Sequence, residues 1–527
     1  MNPSRRALLQ ALGASLLVGG AARPGPEPDA VLRGFDIRRF GAVGDGRTLD
    51  TAAINRAIAA AAASGGGTVH VPAGSYACHS LHLKSCIELH LAPGATLLAA
   101  EDVPGAGYDA PEPAGPWETY QDFGHDHWHN SLIWGEDLHD IAITGPGRIW
   151  GRGLVRELSD AEIAHALTIG AGNKAIALKR CHNVTLRDFS ILAGGHFGIL
   201  ATGVDNVTID NLRIDTNRDG MDIDCCRNVR ITNCSVNAPW DDAICLKSSD
   251  ALGEPRMTQD VTISNCAVSG GWRLGAMLDG SFRRFAREER ADPGQRTGRI
   301  KLGTESDAGF RNITIADCVF QSCRGLALET VDGGVLEDVA ISNVTMRDLR
   351  NAPIFLRLGA RMRGPAGRLP GRLARVSISN LVCSGSLSSM PAIIAGIPGF
   401  PVEDIRINDV VLQHGGGAPA AMAEVRPPEE ASDYPDPSAF VPLPAQGFFI
   451  RHARNIELGN VEFETARPDE RPLFWLQDVD GIDLFRIQSR LPVGVAAFTM
   501  QDVRNFRLGG SVGLPDMVRA RVARSTI

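Results

Sequence analysis

A short phrase of alternating apolar and polar residues recurs along the chain from about residue 140 onward. It has the form Asn/Asp-Val/Ile-x-Ile/Leu, and the copies that start at Asn183, Asn206 and Asn228 are 23 and 22 residues apart. Alternation with period two is typical of a half-buried strand. Short strands that return at a nearly constant period predict stacked coils, and a right-handed parallel β-helix fits them best. The clear copies start at Asp140, Asn183, Asn206, Asn228, Asp260, Asn312, Asp338, Asp404 and Asn455.

One segment near the start of the chain predicts a helix instead. The stretch from Thr51 to Ala63 is rich in alanine, Asp50 stands at the N-cap position, and three glycines at 65–67 end the run. The open end of a solenoid needs covering, so we expect this helix to cap it. The predicted fold class is all-β, a right-handed parallel β-helix with a short N-terminal capping helix.

Length alone would suggest two or three domains, because 527 residues exceed what one ordinary globular core holds. A solenoid grows lengthwise and needs no second core. We therefore expect a single β-helix domain over residues 35–527, preceded by a linker at 23–34. The longer gaps between repeats indicate inserted loops near 281–298 and 415–445.

The first 22 residues have the order of an export signal. Arg5 and Arg6 precede an apolar stretch, Ala7 to Ala22, that ends in small residues. The paired arginines resemble a twin-arginine signal, and an ordinary signal peptide with two arginines is the alternative. Either interpretation predicts a protein exported to the periplasm or the extracellular space. No apolar run reaches the roughly 18 residues of a spanning helix, so we expect no membrane span.

Composition narrows the function classes. The formal net charge is −8, so a nucleic-acid partner is not expected, since nothing would offset phosphate repulsion over a large surface. The eleven cysteines include no Cys-x-x-Cys pair and no cluster with zinc spacing. Cys234, Cys266 and Cys318 fall at one repeat position, which predicts a buried column of small side chains. We expect neither a metal nor a cofactor.

Three aspartates carry the candidate chemistry. Residues one coil apart stack at about 4.8 Å, and Asp241 and Asp242 follow Asp219 by 22 and 23 residues. The three carboxyl groups should therefore lie side by side, and their repulsion would keep one of them protonated near neutral pH. A protonated carboxyl beside an ionised one is the pair that glycoside hydrolysis requires. A calcium site or a ladder of turn-capping side chains is the alternative.

Two cations follow at a spacing that puts them on one strand face. Arg299 and Lys301 are two residues apart, and cations beside an acidic centre suit a substrate carboxylate. The stretch before them, from residue 281, is locally basic and forms either a lip of the centre or a solvated loop. His196 precedes Asp219 by 23 residues, one coil, and should border the cleft.

Aromatic residues are harder to interpret. His125, His127 and His129 alternate in HDHWH, so three imidazoles could share one strand face, as a metal site or as a sugar-contacting cluster. Three tryptophans could stack on sugar rings or pack inside the protein. They are Trp128, Trp134 and Trp240.

At these motifs the chain resembles glycoside hydrolase family 28, the polygalacturonases and rhamnogalacturonan hydrolases. The opening FGAVGDGRTLDTAAINRAI resembles the start of many pectin-active β-helix enzymes. NRDG at 217–220 resembles the family's Asn-Thr-Asp-Gly, WDDA at 240–243 its Gly-Asp-Asp, and RIK at 299–301 its Arg-Ile-Lys. The motifs occur in family order, and the resemblance spans nearly the whole chain after the export signal.

The resemblance implies a pectic poly- or oligosaccharide substrate and hydrolysis with inversion at the anomeric carbon. It implies that Asp241 is the general acid and that Asp219 and Asp242 form the base. Arg299 and Lys301 would contact the substrate. We expect the enzyme to be a monomer.

The chain also departs from the family pattern. The Gly-His-Gly motif expected between Asp242 and Arg299 is missing, Arg218 stands in place of Thr, and Trp240 in place of Gly. Asn217 keeps the family residue and would position the neighbouring acid. These departures favour an exo-acting or rhamnogalacturonan-directed enzyme of a bacterial branch. A pectate-lyase-type β-elimination and a non-catalytic carbohydrate-binding β-helix are the alternatives.

Overall fold

Coils of parallel strands run through the described part of the chain. The computed structural model describes residues 34–102, 107–113, 115–116, 125, 127–166, 168–286, 289 and 296–527. The predicted export signal and all but the last residue of the predicted linker lie outside these ranges. Residues Phe35–Ile527 form one compact unit. Its strands pair in coil-to-coil register, with Val207 facing Val184 on one side and Val229 on the other, so the predicted parallel β-helix is confirmed.

The first part of the solenoid is built from short strands. These are β1 (Phe35–Asp36), β2 (Asp45–Leu49), β3 (Gly67–Val71), β4 (Gly74–Cys78), β5 (Leu81–His82), β6 (Ile87–Leu91), β7 (Ala95–Ala99), β8 (Ser131–Glu136), β9 (His139–Thr144), β10 (Arg148–Trp150), β11 (Lys174–Lys179), β12 (His182–Arg187), β13 (Ser190–Leu192), β14 (Phe197–Thr202), β15 (Asp205–Asp210), β16 (Arg213–Asp215), β17 (Asp219–Asp224), β18 (Arg227–Thr232), β19 (Ser235–Asn237), β20 (Ile244–Ser248), β21 (Thr258–Ser264), β22 (Ala267–Ser269), β23 (Ile300–Ser306), β24 (Gly309–Ala316), β25 (Val319–Gln321) and β26 (Leu326–Thr330).

Longer strands follow, and the helices are few. The remaining strands are β27 (Val335–Arg347), β28 (Ile354–Leu358), β29 (Arg372–Ser384), β30 (Ala392–Ala395), β31 (Val402–His414), β32 (Phe448–Thr465), β33 (Phe474–Ser489), β34 (Phe498–Gly509) and β35 (Met517–Thr526). The α-helices of the described residues are α1 (Thr51–Ala63) and α2 (Asp160–Ala166), and short 3-10 turns cover Ile37–Phe40, Ala420–Glu424 and Pro437–Phe440.

Each coil in the middle of the solenoid contributes one strand to each of three sheets. Sheet A, which carries the predicted site, contains β8, β11, β14, β17, β20, β23, β26, β28 and β30. The second sheet contains β9, β12, β15, β18, β21 and β24. The third contains β10, β13, β16, β19, β22 and β25. Further along, β27, β29 and β31 join the second and third sheets in strands of 13 residues.

The Asn or Asp that opens each repeated phrase lies at the start of a strand of the second sheet, where the chain turns a corner. Its φ is positive, 57° at Asn183 and 55° at Asn206 and Asn228, a conformation that these residue types tolerate better than most. The side chains form a ladder, because Asn206 Nδ2 donates to Asn183 Oδ1 at 3.0 Å and Asn228 Nδ2 donates to Asn206 Oδ1 at 2.8 Å. The apolar residues of the phrase, such as Val207 and Ile209, then point into the core and are buried.

The predicted column of cysteines belongs to this core. Cys234, Cys266 and Cys318 are buried in neighbouring coils of the solenoid. All eleven cysteines lie within the described residues and are free thiols. Cys86 is exposed and the other ten are buried. Cys234, Cys266 and Cys318 act as small packing residues, as their shared repeat position predicts.

Helix α1 has the predicted bounds and packs its buried face against the first coil. That face consists of Ala53, Ile54, Ala57, Ile58 and Ala61. The prediction of Asp50 as the N-cap is wrong for its side chain, which makes no capping bond to the helix. Its carboxylate instead accepts hydrogen bonds from the backbone N–H groups of Val43 at 2.7 Å and Gly44 at 3.0 Å. The turn that precedes β2 presents these two amides to the carboxylate.

The last described strand pairs in the opposite sense from the coils before it. Strand β35 runs antiparallel to β34, with Val522 facing Val503, and so covers the strand edge that a further coil would occupy. No helix among the described residues combines the length and the apolar character needed to cross a bilayer.

Candidate active site

The three predicted aspartates converge on sheet A. Asp219 begins β17, and Asp241 and Asp242 lie in the turn before β20, one coil later. One carboxylate oxygen of each residue lies within 4.8 Å of the other two. The backbone N–H of Asp242 is shared, at 3.3 Å from Asp219 Oδ1 and 3.1 Å from Asp241 Oδ1. The convergence predicted from the residue spacing is therefore correct.

Close contact between the two coils requires a glycine after Asp219. A Cβ atom on Gly220 would lie 2.4 Å from the carbonyl oxygen of Ala243 and 2.5 Å from Cγ1 of Val236. Both distances are shorter than van der Waals contact allows, so a side chain here would push the coils apart. The glycine of NRDG thus keeps Asp219 beside the Asp241–Asp242 turn.

Asp241 and Arg218 form the side of the centre that solvent reaches. Arg218 Nη2 and Nε donate to Asp241 Oδ2 at 2.7 and 3.1 Å, and the two side chains are 26% and 24% exposed for Asp241 and Arg218 respectively. Burial acts to raise the pKa of Asp241, but the Arg218 guanidinium outweighs it and holds that pKa below its usual value. Asp241 is therefore ionised while this ion pair persists.

Asp242 lies on the opposite, closed side. Arg299 Nε donates to Asp242 Oδ1 at 2.9 Å, and Lys301 Nζ is 3.5 Å from Asp242 Oδ2. Both cationic side chains are only 2% exposed. Burial acts to raise the pKa of Asp242, but these two cations outweigh it and lower that pKa below its usual value. The predicted cations thus lie at the centre, behind Asp242.

The ammonium group of Lys301 is surrounded by oxygen atoms of the protein. Lys301 Nζ donates to Thr304 Oγ1 at 2.8 Å and to the Tyr434 hydroxyl at 3.0 Å, and Glu329 Oε2 lies 3.6 Å away. Tyr434 belongs to the loop predicted near 415–445. That loop therefore lies against the closed side of the centre.

Buried arginines hold this loop in place. Arg357 and Arg451 donate to the backbone carbonyl oxygens of residues 427–430 at 2.5 to 3.0 Å, and Arg324 Nη1 donates to Asp436 Oδ2 at 2.5 Å. Arg357 and Arg451 are fully buried. The loop is a fixed wall, because each bond satisfies a buried donor that would otherwise be costly to leave unpaired.

Asp219 faces an imidazole where the other two carboxylates face an arginine. His196 Nε2 lies 3.8 Å from Asp219 Oδ2, and His196 Nδ1 contacts a carboxylate oxygen of Glu157. The imidazole ring stacks on Phe197 with 4.0 Å between centroids. His196 therefore borders the centre, as its spacing predicts, although the ring is buried.

The protonation states follow from these surroundings. Burial and the nearby Arg218 charge lower the pKa of His196 well below its usual value, so its imidazole is neutral near pH 7. Burial and the charges of Asp222 and Asp241 raise the pKa of Asp219 well above its usual value. Asp219 is thus the member of the three that holds a proton.

Asn217 supports the centre through its backbone. Its carbonyl oxygen accepts a hydrogen bond from the N–H of Trp240 at 3.2 Å, which fixes the residue next to Asp241. The buried side-chain Nδ2 has no hydrogen-bond partner among the described residues. The predicted positioning of the acid by Asn217 stays a prediction.

The interpretation of HDHWH as one strand face is wrong. The described histidines of this stretch lie outside the strands, so the alternation of an extended chain does not apply. His125 Nε2 binds Asp222 Oδ2 at 2.7 Å and lies beside the centre, with its ring 6.3 Å from that of His196. His129 instead binds Glu136 at 2.9 Å and stacks on Trp134.

Three groups of donors among the described residues are close enough to hold an ion. They are Asp219 with Asp241 and Asp242, Glu112 with His129 and Glu136, and Cys86 with His139 and Asp140. At the first group Arg218, Arg299 and Lys301 already compensate the carboxylate charge. This donor set therefore suits ion pairing better than a dedicated metal site.

The tryptophans divide between the surface and the core. Trp240, next to the centre, is partly exposed and meets Phe285 edge to face at 5.8 Å. Arg296 lies over Phe285 at 3.7 Å, so the described part of the 281–298 loop packs beside Trp240. Trp128 is buried, and Lys179 Nζ lies 3.7 Å from the centroid of its ring. Trp128 therefore packs inside the protein, which is the second of the two roles that the sequence leaves open.

Sequence reasoning did not single out three residues that complete the site. Glu157 and Tyr434 come from loops whose position no repeat spacing predicts. Glu329 could have been found by counting coils, because Ala327 pairs with Lys301 and Glu329 points to the same face of β26 two residues later.

Comparisons with known proteins concern the fold and the overall similarity of the chain. The family model "Right handed beta helix region" matches residues 174–361, and the model "Rhamnogalacturonase A/epimerase, pectate lyase-like" matches residues 34–110. A probable polygalacturonase of Vitis vinifera is 24% identical over 431 residues, which cover 77% of this chain and 80% of the relative. An exo-poly-alpha-D-galacturonosidase of Dickeya chrysanthemi is 26% identical over 453 residues, with 75% and 70% covered.

A solved structure shares the fold. The family 28 exopolygalacturonase of Yersinia enterocolitica superposes with a TM-score of 0.62 at 21% identity, over 85% of this chain and 77% of that one. The relatives support the predicted enzyme class, a polygalacturonase-like glycosidase. The chain is a right-handed parallel β-helix protein similar to the polygalacturonases, and the resemblance to glycoside hydrolase family 28 that its motifs predict is confirmed.

Proposed function

We propose that this protein is an exported glycoside hydrolase that cleaves α-glycosidic bonds in pectic polysaccharides or oligosaccharides containing galacturonic acid. The observation that carries the proposal is the group of three carboxyls within 4.8 Å, two of which are ion-paired while burial raises the pKa of the third, Asp219. This is the combination of acid and base that glycoside hydrolysis needs. Similarity to polygalacturonases over three quarters of the chain supports a pectic substrate.

In the proposed reaction Asp241 protonates the leaving oxygen, and Asp219 with Asp242 activates the attacking water. Asp241 suits the acid role because it lies on the open side, where the glycosidic oxygen can reach it. Asp242 suits the base role because its two buried cations keep it ionised. Attack by water from the opposite face inverts the anomeric carbon.

Exo action on the end of a chain is part of the proposal. Asp219 and Asp242 are buried, and the loop at 415–445 is a fixed wall on one side of them. An extended polysaccharide needs a cleft that is open at both ends, whereas a chain end needs only a pocket. The partly exposed Asp241, Arg218 and Trp240 mark the accessible side of such a pocket.

Product analysis tests this function directly. Galacturonic-acid oligosaccharides of defined length are incubated with the enzyme, and the products are followed by mass. We expect reducing monosaccharide or disaccharide to be released from one end, and proton NMR of the first product to show inverted anomeric configuration. An unsaturated, ultraviolet-absorbing product would instead indicate the lyase alternative, and binding without any product would indicate the non-catalytic alternative. Asp241→Asn is the inactive control.

A further inference from the structure

We propose that Arg218 makes catalysis depend on a carboxylate of the substrate: a uronate draws Arg218 away from Asp241, and the proton of Asp219 then passes to Asp241. The inference rests on the proposed function, because it takes these aspartates as the acid and the base. It concerns the position at which the chain has Arg where the motif that it resembles has Thr.

The ion pair between Arg218 and Asp241 prevents the acid from acting. A carboxylate oxygen that accepts two guanidinium N–H groups is ionised and carries no proton to give. Asp241 can become an acid only after this partner has moved. Of the two arginine–aspartate pairs at the centre, only this one is partly exposed, so an entering sugar reaches it first.

A substrate carboxylate is a suitable new partner for Arg218. A guanidinium can donate two N–H groups to any planar carboxylate, whichever molecule carries it. Exchange of one carboxylate for another keeps the charge of Arg218 compensated. An esterified uronate has no charge to offer, so Arg218 would stay on Asp241 and the chemical step would be slow.

Asp219 is the source of the proton. Its Oδ1 and that of Asp241 accept from the same N–H group, so the two carboxyls are neighbours. The charged and titratable groups that face Asp219 are Asp222, Asp241, Asp242, Lys247, His196 and Arg218, and those that face Asp241 are Arg218, Asp219, Asp242 and His196. Arg218 is hydrogen-bonded to Asp241, so the arrival of substrate changes the cation of Asp241 most directly.

The exchange balances in protons and charge. Asp219 loses one proton and becomes the carboxylate that a base must be, and Asp241 gains that proton. Asp241 then gives it to the leaving oxygen as the glycosidic bond breaks. The attacking water forms the new bond to the anomeric carbon and releases its proton to the carboxylate pair of Asp219 and Asp242.

The test compares Arg218→Gln with the unchanged enzyme on a galacturonate oligosaccharide and on its methyl ester. We expect the unchanged enzyme to have at least a tenfold higher kcat on the acid, and the variant to lose this preference. The alkaline limb of its kcat/KM profile should move to higher pH by about 1 to 3 units, because Asp241 loses its cation and the free enzyme holds the proton more tightly. Arg256→Gln, which breaks an arginine–aspartate pair with Asp205 outside the site, should change neither.

Two outcomes would overturn the proposal: an unchanged substrate preference, or an unchanged alkaline limb, in a folded Arg218→Gln variant. If that variant does not fold, the Arg218→Lys variant is measured instead, since a lysine keeps the charge but loses the planar pair of N–H donors. A ratio of kcat on the acid to kcat on the ester equal to that of the unchanged enzyme would then contradict the proposal. Activity in Asp241→Asn on both substrates would refute the proposed function itself. The two failures are thus distinguishable.

Discussion

Two arginine–aspartate pairs lie side by side at the centre and differ in what surrounds them. Arg218 and Asp241 are each about a quarter exposed, and two N–H groups of Arg218 donate to one carboxylate oxygen of Asp241. Arg299 and Asp242 are almost completely buried, and Lys301 adds a second cation. The same chemical pair is thus open to exchange on one side and locked on the other.

Burial decides what each pair contributes. A partly exposed ion pair contributes less to stability than a buried one, because water competes for its members, so a ligand can replace one of them. A buried pair leaves an uncompensated charge when one member is lost, at about 3 to 5 kcal/mol. The open pair can therefore respond to substrate, and the closed pair fixes the charge of Asp242.

The largest effect on activity is expected when the aspartate of either pair is replaced. Asp241→Asn and Asp242→Asn, and also Asp219→Asn, should each lower kcat at least about 100-fold, the usual contribution of a general acid or base. Release of reducing ends from a galacturonate oligosaccharide measures this effect. Full activity in all three variants would contradict the assignment of the centre.

Replacement of Arg218 or of Arg299 should lower the free energy of unfolding by different amounts. Arg299→Met should lower the free energy of unfolding by about 3 to 5 kcal/mol, because Asp242 stays buried without its main partner. Arg218→Met should lower it by less than Arg299→Met does, because water can partly solvate Asp241. Urea unfolding of both variants gives the comparison, and equal losses would show that the two pairs do not differ as their burial indicates.

Lys301→Met tests whether the closed side senses the substrate. The sequence alone favours direct contact with a uronate, and hence a penalty that shrinks on an ester. The structure surrounds Lys301 Nζ with Thr304, Tyr434 and Glu329, so we expect a loss of kcat/KM of about tenfold on acid and ester alike. A penalty confined to the acid would place Lys301 among the uronate contacts after all.

The smallest effect concerns pH and the proton on Asp219. The folded-state pKa of Asp219 is raised above its unfolded value, so the unfolded chain loses this proton at lower pH than the native protein does. Its contribution therefore destabilises the native state increasingly as pH rises from about 4 toward the folded pKa. Asp219→Asn should match or exceed the unchanged protein in melting temperature at pH 7, and its advantage should be smaller at pH 5. A lower melting temperature at pH 7 would show that Asp219 is ionised.

Much of the fold could be predicted because every coil requires the same residue types at the same positions. Each corner needs a residue that tolerates positive φ, and each strand needs alternating apolar positions, so Asn206 and Val207 mark one coil as clearly as Asn228 and Val229 mark the next. The three aspartates obey the same rule, since stacking converts a spacing of 22 or 23 residues into proximity.

The parts that sequence missed lie outside this repeat. Glu157 and Tyr434 reach the centre from loops, and a loop has no register that relates sequence distance to spatial distance. His125 also comes from irregular chain, which is why the strand interpretation of its motif is wrong. The role proposed for Arg218 could not be predicted from the sequence, because only the structure shows which of the two neighbouring aspartates is exposed.

The antiparallel pairing of β35 has a consequence for how these molecules meet one another. A stack of parallel coils that ended in a bare strand would offer the edge of another molecule a template, and copies could then add end to end into a filament. Strand β35 pairs with the backbone N–H and C=O groups along the outer edge of β34. The edge that β35 itself presents runs in the opposite direction from the coils. Five of its ten residues are arginine, serine or threonine, so this end also carries positive charge. The strand therefore withholds the parallel template that β34 would otherwise offer to another copy.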